Sequence, residues 1–173
     1  MTTSHASVRD PHREAPLAFR PLALRPLRVL IVERQRLAAE ALMFTLDSDP
    51  QLDAIGYGLD GWTALELIAS YDPNTVLVGP DVDGFDQLEF CRMVHELFPA
   101  VRLIALRERL VPNEVEAAYA AGAADCLTTS CSSDELLYAI VGAHTRQVAF
   151  ERGTRLRAGR MTSRSTPVGA ASA

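Results

Sequence analysis

The sequence predicts a doubly wound α/β domain around a five-stranded parallel sheet. Three observations lead there. Short unbroken apolar runs, such as Val29-Leu-Ile-Val32 and Val76-Leu-Val78, read as strands buried on both faces. Between the runs lie segments with apolar residues at helical spacing. The two kinds alternate roughly every two dozen residues, and such alternation sets parallel strands beneath helices on both sides.

Arg28 to Val32 is the first strand, followed by a helix from about Gln35 to Leu46. Leu37, Ala38, Ala41, Leu42 and Thr45 form its inward stripe, and Asp49-Pro50 closes it. Leu52 to Tyr57 is a second strand. Asp60-Gly61 turns into a helix with Leu65, Ile68 and Ala69 on one side, ended by Asp72-Pro73. Thr75 to Val78 is a third strand. After the loop Pro80-Asp-Val-Asp-Gly84, a helix from about Asp86 to Leu97 turns Phe90, Cys91, Val94 and Leu97 inward. Arg102 to Leu106 is a fourth strand, Pro112 to Ala121 a short helix stopped by Gly122, and Cys126 to Thr128 a fifth strand. Ser133, with Asp134 and Glu135 in the first turn, starts a last helix through Leu136, Leu137, Ile140 and Val141. This succession suits the flavodoxin-like order 2-1-3-4-5, whose sites lie at the carboxyl ends of the strands. Function is therefore sought just after Val32, Val78, Leu106 and Thr128.

Composition sets the outer bounds. At 173 residues, 48% hydrophobic and 23% charged, the chain is sized for one domain with a real core. No apolar run approaches the ~18–20 residues needed to span a bilayer, and the first residues lack a signal peptide's apolar segment. Cys91, Cys126 and Cys131 cannot all pair and match no zinc spacing, so the expectation is a reduced, cytoplasmic protein with idle thiols. All 17 basic residues are Arg. Schiff-base and phosphate-binding lysines are thereby excluded. Charge is uneven: residues 1–28 carry net +3, 29–145 net −13 and 146–173 net +5. Residues 1–27, with four prolines, read as a disordered basic arm, 28–145 as the domain, and 146–173 as a disordered basic tail.

The stretches Arg28 to Leu37, Gly84 to Glu89, Val101 to Leu106, Ala120 to Ala124 and Ser132 to Leu137 resemble a response-regulator receiver domain, most of all the NarL-type branch. The resemblance covers about Arg28 to His144 and implies a place in two-component signalling. It fails where the family's chemistry is carried. The two acidic Mg²⁺ ligands expected after the first strand correspond to Glu33 and Arg34. The phosphoacceptor Asp corresponds to Gly79, the Ser or Thr after the fourth strand to Arg107, the Lys after the fifth to Thr129, and the switch aromatic to Cys126. Aspartyl phosphorylation needs a carboxylate nucleophile, a divalent cation and donors to the transferred group. Gly79 supplies no nucleophile and Arg34 repels the cation. Asp81, two residues on, is displaced from in-line geometry.

Arg34 and Arg107 are expected to converge on one vestigial pocket with Glu33, Asp81 and Asp83. Three uses stay open: ion pairs that neutralise an abandoned metal site, an Arg locking one conformation, or an anion or small-ligand pocket. Asp81, Asp83 and Asp86 lack EF-hand spacing and read as a solvated loop. Trp62 is either a partner contact or a cap over Leu59. Tyr119, Leu136 and Ile140 are candidates for a homodimer surface. No G-x-G-x-x-G occurs, which argues against a nucleotide enzyme. NarL-type regulators continue into a helix-turn-helix, whereas the 29 residues after His144 show no apolar period. The expected function is that of a stand-alone pseudo-receiver without metal or cofactor, acting by phosphorylation-independent protein contact. The alternative is the receiver part of a NarL/LuxR-type transcription regulator that meets DNA only through a basic tail or a partner.

Overall fold

In the computed structural model, residues 6–8 and 25–142 are described. In chain order the elements are β1 (Ala6–Val8), β2 (Leu27–Val32), α1 (Arg36–Leu46), β3 (Leu52–Gly58), α2 (Gly61–Tyr71), β4 (Thr75–Val78), α3 (Gln87–Leu97), β5 (Arg102–Arg107), α4 (Pro112–Ala120), β6 (Ala123–Thr128) and α5, described over 133–142. β2 to β6 are parallel and lie in the order β3-β2-β4-β5-β6, the expected 2-1-3-4-5 arrangement. Register aligns the strand ends, with Val32 beside Val78 and Val78 beside Ala105.

Alternate residues of each strand serve opposite faces. Val29, Ile31, Leu77 and Ile104 pack under α1 and α5, with Ala39, Leu46, Leu136 and Ile140. Leu30, Val32, Val76, Val78 and Leu103 pack under α2 and α3, with Ala64, Ile68, Phe90 and Val94. On that second face α4 adds Ala118 against Ala105, Ala123 and Cys126.

Four details depart from the sequence reading. The arm expected to be unstructured contributes β1, which pairs antiparallel with β3, Ala6 opposite Gly58 and Val8 opposite Gly56. A three-residue strand is too short to show a period, and the open edge of β3 supplies its partner groups. Residues 1–5, 9–24 and 143–173, most of the arm and all of the tail, lie outside the described residues. The α1 stripe is also displaced: Ala39 and Leu46 are buried, while Leu37 and Phe44 are 81% and 82% exposed. This helix is apolar nearly all round, so its period alone did not select a face. In α2 and α3, Ala69 and Leu97 are exposed, and Ala64 takes the inward place beside Ile68. Finally, the cap of α5 is Ser132 rather than Ser133. Its hydroxyl accepts from Glu135 N at 3.2 Å while its own N–H donates to Glu135 Oε2 at 2.8 Å, a reciprocal capping box.

Candidate functional site

The carboxyl ends of β2, β4, β5 and β6 meet where the strand order reverses, and the expected positions do lie there. Their side chains fall into two adjoining clusters. Glu33, at the end of β2, is only 7% exposed. Its Oε1 accepts from Gln35 N at 2.8 Å, and its Oε2 fills the space in which a Cβ at Gly79 would have to sit. Gly79 N donates to Val32 O at 2.7 Å, so the two strand ends are drawn together. A side chain at position 79 would have to displace this carboxylate.

Arg34 turns the other way. Its Nη2 lies 3.8 Å from Asp81 Oδ2, and the two side chains are 57% and 71% exposed. Such a pair contributes little. Arg107, by contrast, is only 18% exposed at its side chain. Its Nη1 donates to Gln87 Oε1 at 2.8 Å and its Nη2 to Glu114 Oε2 at 3.1 Å. Arg34 and Arg107 therefore bond different partners, in adjoining clefts that share Pro80, Asp86 and Gln87. Arg34 lines a cleft of about 190 Å³ with Asp81 and Asp83. Arg107 lines another of about 280 Å³ with Glu108, Arg109 and Glu114. Thr129 is exposed, and its N–H donates to Arg107 O at 2.8 Å.

The donor set does not fit a divalent cation. Glu33 accepts from Gln35 N through Oε1, Arg34 carries the wrong charge, and Asp86 caps α3 by accepting from Leu88 N at 2.9 Å. Among the described residues, no group of three His, Cys, Asp or Glu side chains is arranged to hold a metal. The thiols are poorly suited to reaction. Burial pushes the Cys91 thiol up to about 12, with the neighbouring Cys126 adding to the shift and Arg107 opposing it. Burial raises Cys126 and Cys131 as well, helped by Asp125 and Glu135 respectively.

Sequence reasoning missed Gln87. It stands in line with Phe90, Cys91 and Val94 at i, i+3, i+4 and i+7, and all four are buried. Its Nε2 donates to Gly79 O at 2.7 Å and Leu106 O at 2.8 Å, with Val78 O at 3.3 Å. An amide inside an otherwise apolar helical stripe is the signal that would have found it.

The partner candidates divide in the same way. Leu136 and Ile140 are in the core, so neither is available to a dimer. α5 turns them onto the sheet and leaves Tyr138 79% exposed. Tyr119 is exposed and its hydroxyl donates to Asp125 Oδ1 at 3.4 Å. Trp62 is exposed but caps Phe85, at 4.8 Å between ring centroids, rather than Leu59. Gly84, at φ +85°, passes beneath the indole in a conformation that favours glycine.

No family model matches the chain. The response regulator protein VraR of Staphylococcus saprophyticus is 23% identical over 126 residues, 73% of this chain and 60% of that protein. The response regulator MprA of Mycolicibacterium vanbaalenii is 31% identical over 112 residues, 65% of this chain and 48% of that protein. The signal receiver domain of the response regulator NarL from Mycobacterium tuberculosis superimposes with a TM-score of 0.65 at 24% identity, over 69% of this chain and 96% of that domain. The described domain has the flavodoxin-like receiver fold. The receiver fold is complete within it, whereas the chain spans 60% and 48% of the two curated relatives. Among the described residues, no helix is long and apolar enough to cross a membrane.

Proposed function

We propose that this domain is a pseudo-receiver, which regulates by binding partner proteins in the cytoplasm without phosphotransfer. One observation supports the reading: β4 ends beside Gly79, where the resemblance would put the acceptor carboxylate, and the Glu33 carboxylate fills the space next to it. The arrangement lacks a nucleophile in line, a cation site and a Lys to neutralise a transferred group. Contact is assigned to the face of α4, β6 and α5, where Leu110, Val111, Tyr119 and Tyr138 are exposed beside a shallow cleft lined by Leu127, Cys131 and Ala139. A second copy of the chain is the proposed occupant of that face, and Trp62 a further contact. A second reading, the receiver part of a NarL/LuxR-type transcription regulator, is favoured by the greater length of the curated relatives.

Incubation of the full chain with acetyl phosphate and Mg²⁺ is expected to leave its intact mass unchanged. A stoichiometric phosphoryl adduct on any carboxylate would overturn the phosphorylation-independent reading. Light scattering tests the pairing: a dimer mass that falls to monomer in Tyr138→Glu supports it, and a monomer in both chains removes it.

A further inference from the structure

α4 is weakly held by apolar contact. Ala118 is its only buried side chain, with Val115 partly buried beside it. Val111, at its N-cap, offers no side-chain hydrogen bond to the first turn. A nine-residue helix with so little apolar anchorage is marginal by itself. Something else sets its position.

The candidate is a continuous polar chain. Gln87 is held at the start of α3, one residue after the Asp86 cap. Its amide nitrogen gathers the carbonyls of Gly79 and Leu106, at the ends of β4 and β5. Its amide oxygen then accepts from Arg107, whose second terminal nitrogen reaches Glu114 in the first turn of α4. Gln suits the middle position because it donates on one side and accepts on the other. A carboxylate would repel the strand carbonyls, and Lys would offer the guanidinium no acceptor. Arg suits the next position because its planar fork makes two directed bonds at once. Burial strengthens the inner part, since Gln87 is buried and a broken bond there leaves polar groups without water. Glu114 is also placed favourably for the helix dipole, so its charge suits both neighbours.

We propose that Gln87, Arg107 and Glu114 form a permanent clasp that positions α4, and with it Leu110 and Val111, against the ends of β4 and β5. These three are positioning residues. They set the geometry of the α4 face without any group having to arrive at the strand ends. That last point rests on the phosphorylation-independent reading; the clasp itself does not.

Amide hydrogen exchange on the full chain, with no phosphodonor present, tests the clasp. Exchange reports the opening of each element separately. In Glu114→Ala and Arg107→Met, the amides of residues 115–120 are expected to exchange about tenfold faster, while those of α2 and the middle of α3 stay within about twofold. Glu114→Gln keeps an acceptor oxygen at the same reach and is expected to fall between wild type and Glu114→Ala. Exchange in α4 within about twofold of wild type in both Glu114→Ala and Arg107→Met would overturn the clasp. So would an acceleration spread evenly over all helices. If Arg107→Met fails to fold, Glu114→Ala, at an exposed position, decides alone. A phosphoryl adduct would sink the pseudo-receiver reading and leave these exchange rates as they are, so the two failures are distinguishable.

Discussion

α3 and α4 touch on the same face of the sheet, yet they are held there by different forces. α3 buries Phe90, Cys91 and Val94 and starts with a side-chain cap from Asp86. α4 buries one alanine and starts without a side-chain cap. What α4 lacks in apolar area is offset by directed bonds, through Arg107 to Gln87 and Glu114. The difference teaches where this domain tolerates change. Apolar anchorage is distributed and loses stability with any lost volume, whereas polar anchorage fails at one atom and affects position first.

The largest expected effect lies on the apolar side. Phe90→Ala removes a ring that is fully buried and edge-on to Phe85 at 5.8 Å. It is expected to cost about 3–5 kcal/mol in urea unfolding, against far less for Glu114→Ala. Equal losses in the two variants would erase the distinction between the helices.

A smaller effect comes from pH. The Cys91 thiol, pushed up to about 12 by burial, resists ionisation in the folded chain, while an unfolded thiol ionises near its ordinary value of 9.0. A raised acid pKa means that the folded state holds its proton more tightly. Stability is therefore full below the unfolded value and falls as pH rises from there toward the folded one. Between about pH 9 and 10 the loss is expected to be roughly 1 kcal/mol. Cys91→Ala, though less stable at neutral pH, should lack this part of the slope. An identical slope in the two chains would remove Cys91 as its source.

The smallest effect sharpens the contrast between the two arginines. Arg34→Ala breaks only an exposed pair at 3.8 Å and is expected to change stability by less than about 0.5 kcal/mol. In the same urea unfolding Arg107→Met is expected to lose more, because it leaves Gln87 Oε1 without its donor. A larger loss at Arg34 would mean that the pair with Asp81 is tighter than its exposure implies.

Much of the fold was legible in the chain because the signals are local. Val29 to Val32 and Val76 to Val78 are strands since no other short element tolerates apolar side chains on every face. Asp60 and Asp86 mark helix starts because a short carboxylate reaches the free N–H groups of the first turn. Where helices were apolar on several sides, as in α1, the sequence carried no preference for one face. Packing on β2 and β3 chose Ala39 and Leu46 and left Leu37 and Phe44 in solvent. For the site, identities were legible and partners were not. That Gly79 has no nucleophile is visible in one letter; that Glu33 leans onto it depends on the register of β2 beside β4.

By itself, the sequence determined the strand and helix order, the parallel sheet and the residue types at the strand ends. These follow from period, turn chemistry and composition, which act over a few residues. Only the tertiary structure decided that Arg34 and Arg107 bond different partners, that Leu136 and Ile140 face inward, and that Ala6–Val8 closes the edge of β3. It also decided that positions 87, 107 and 114 form one polar chain. The physical reason is range: an apolar stripe is written within one helix, whereas a hydrogen bond between distant positions exists only once strand register has brought their elements within about 3 Å of each other.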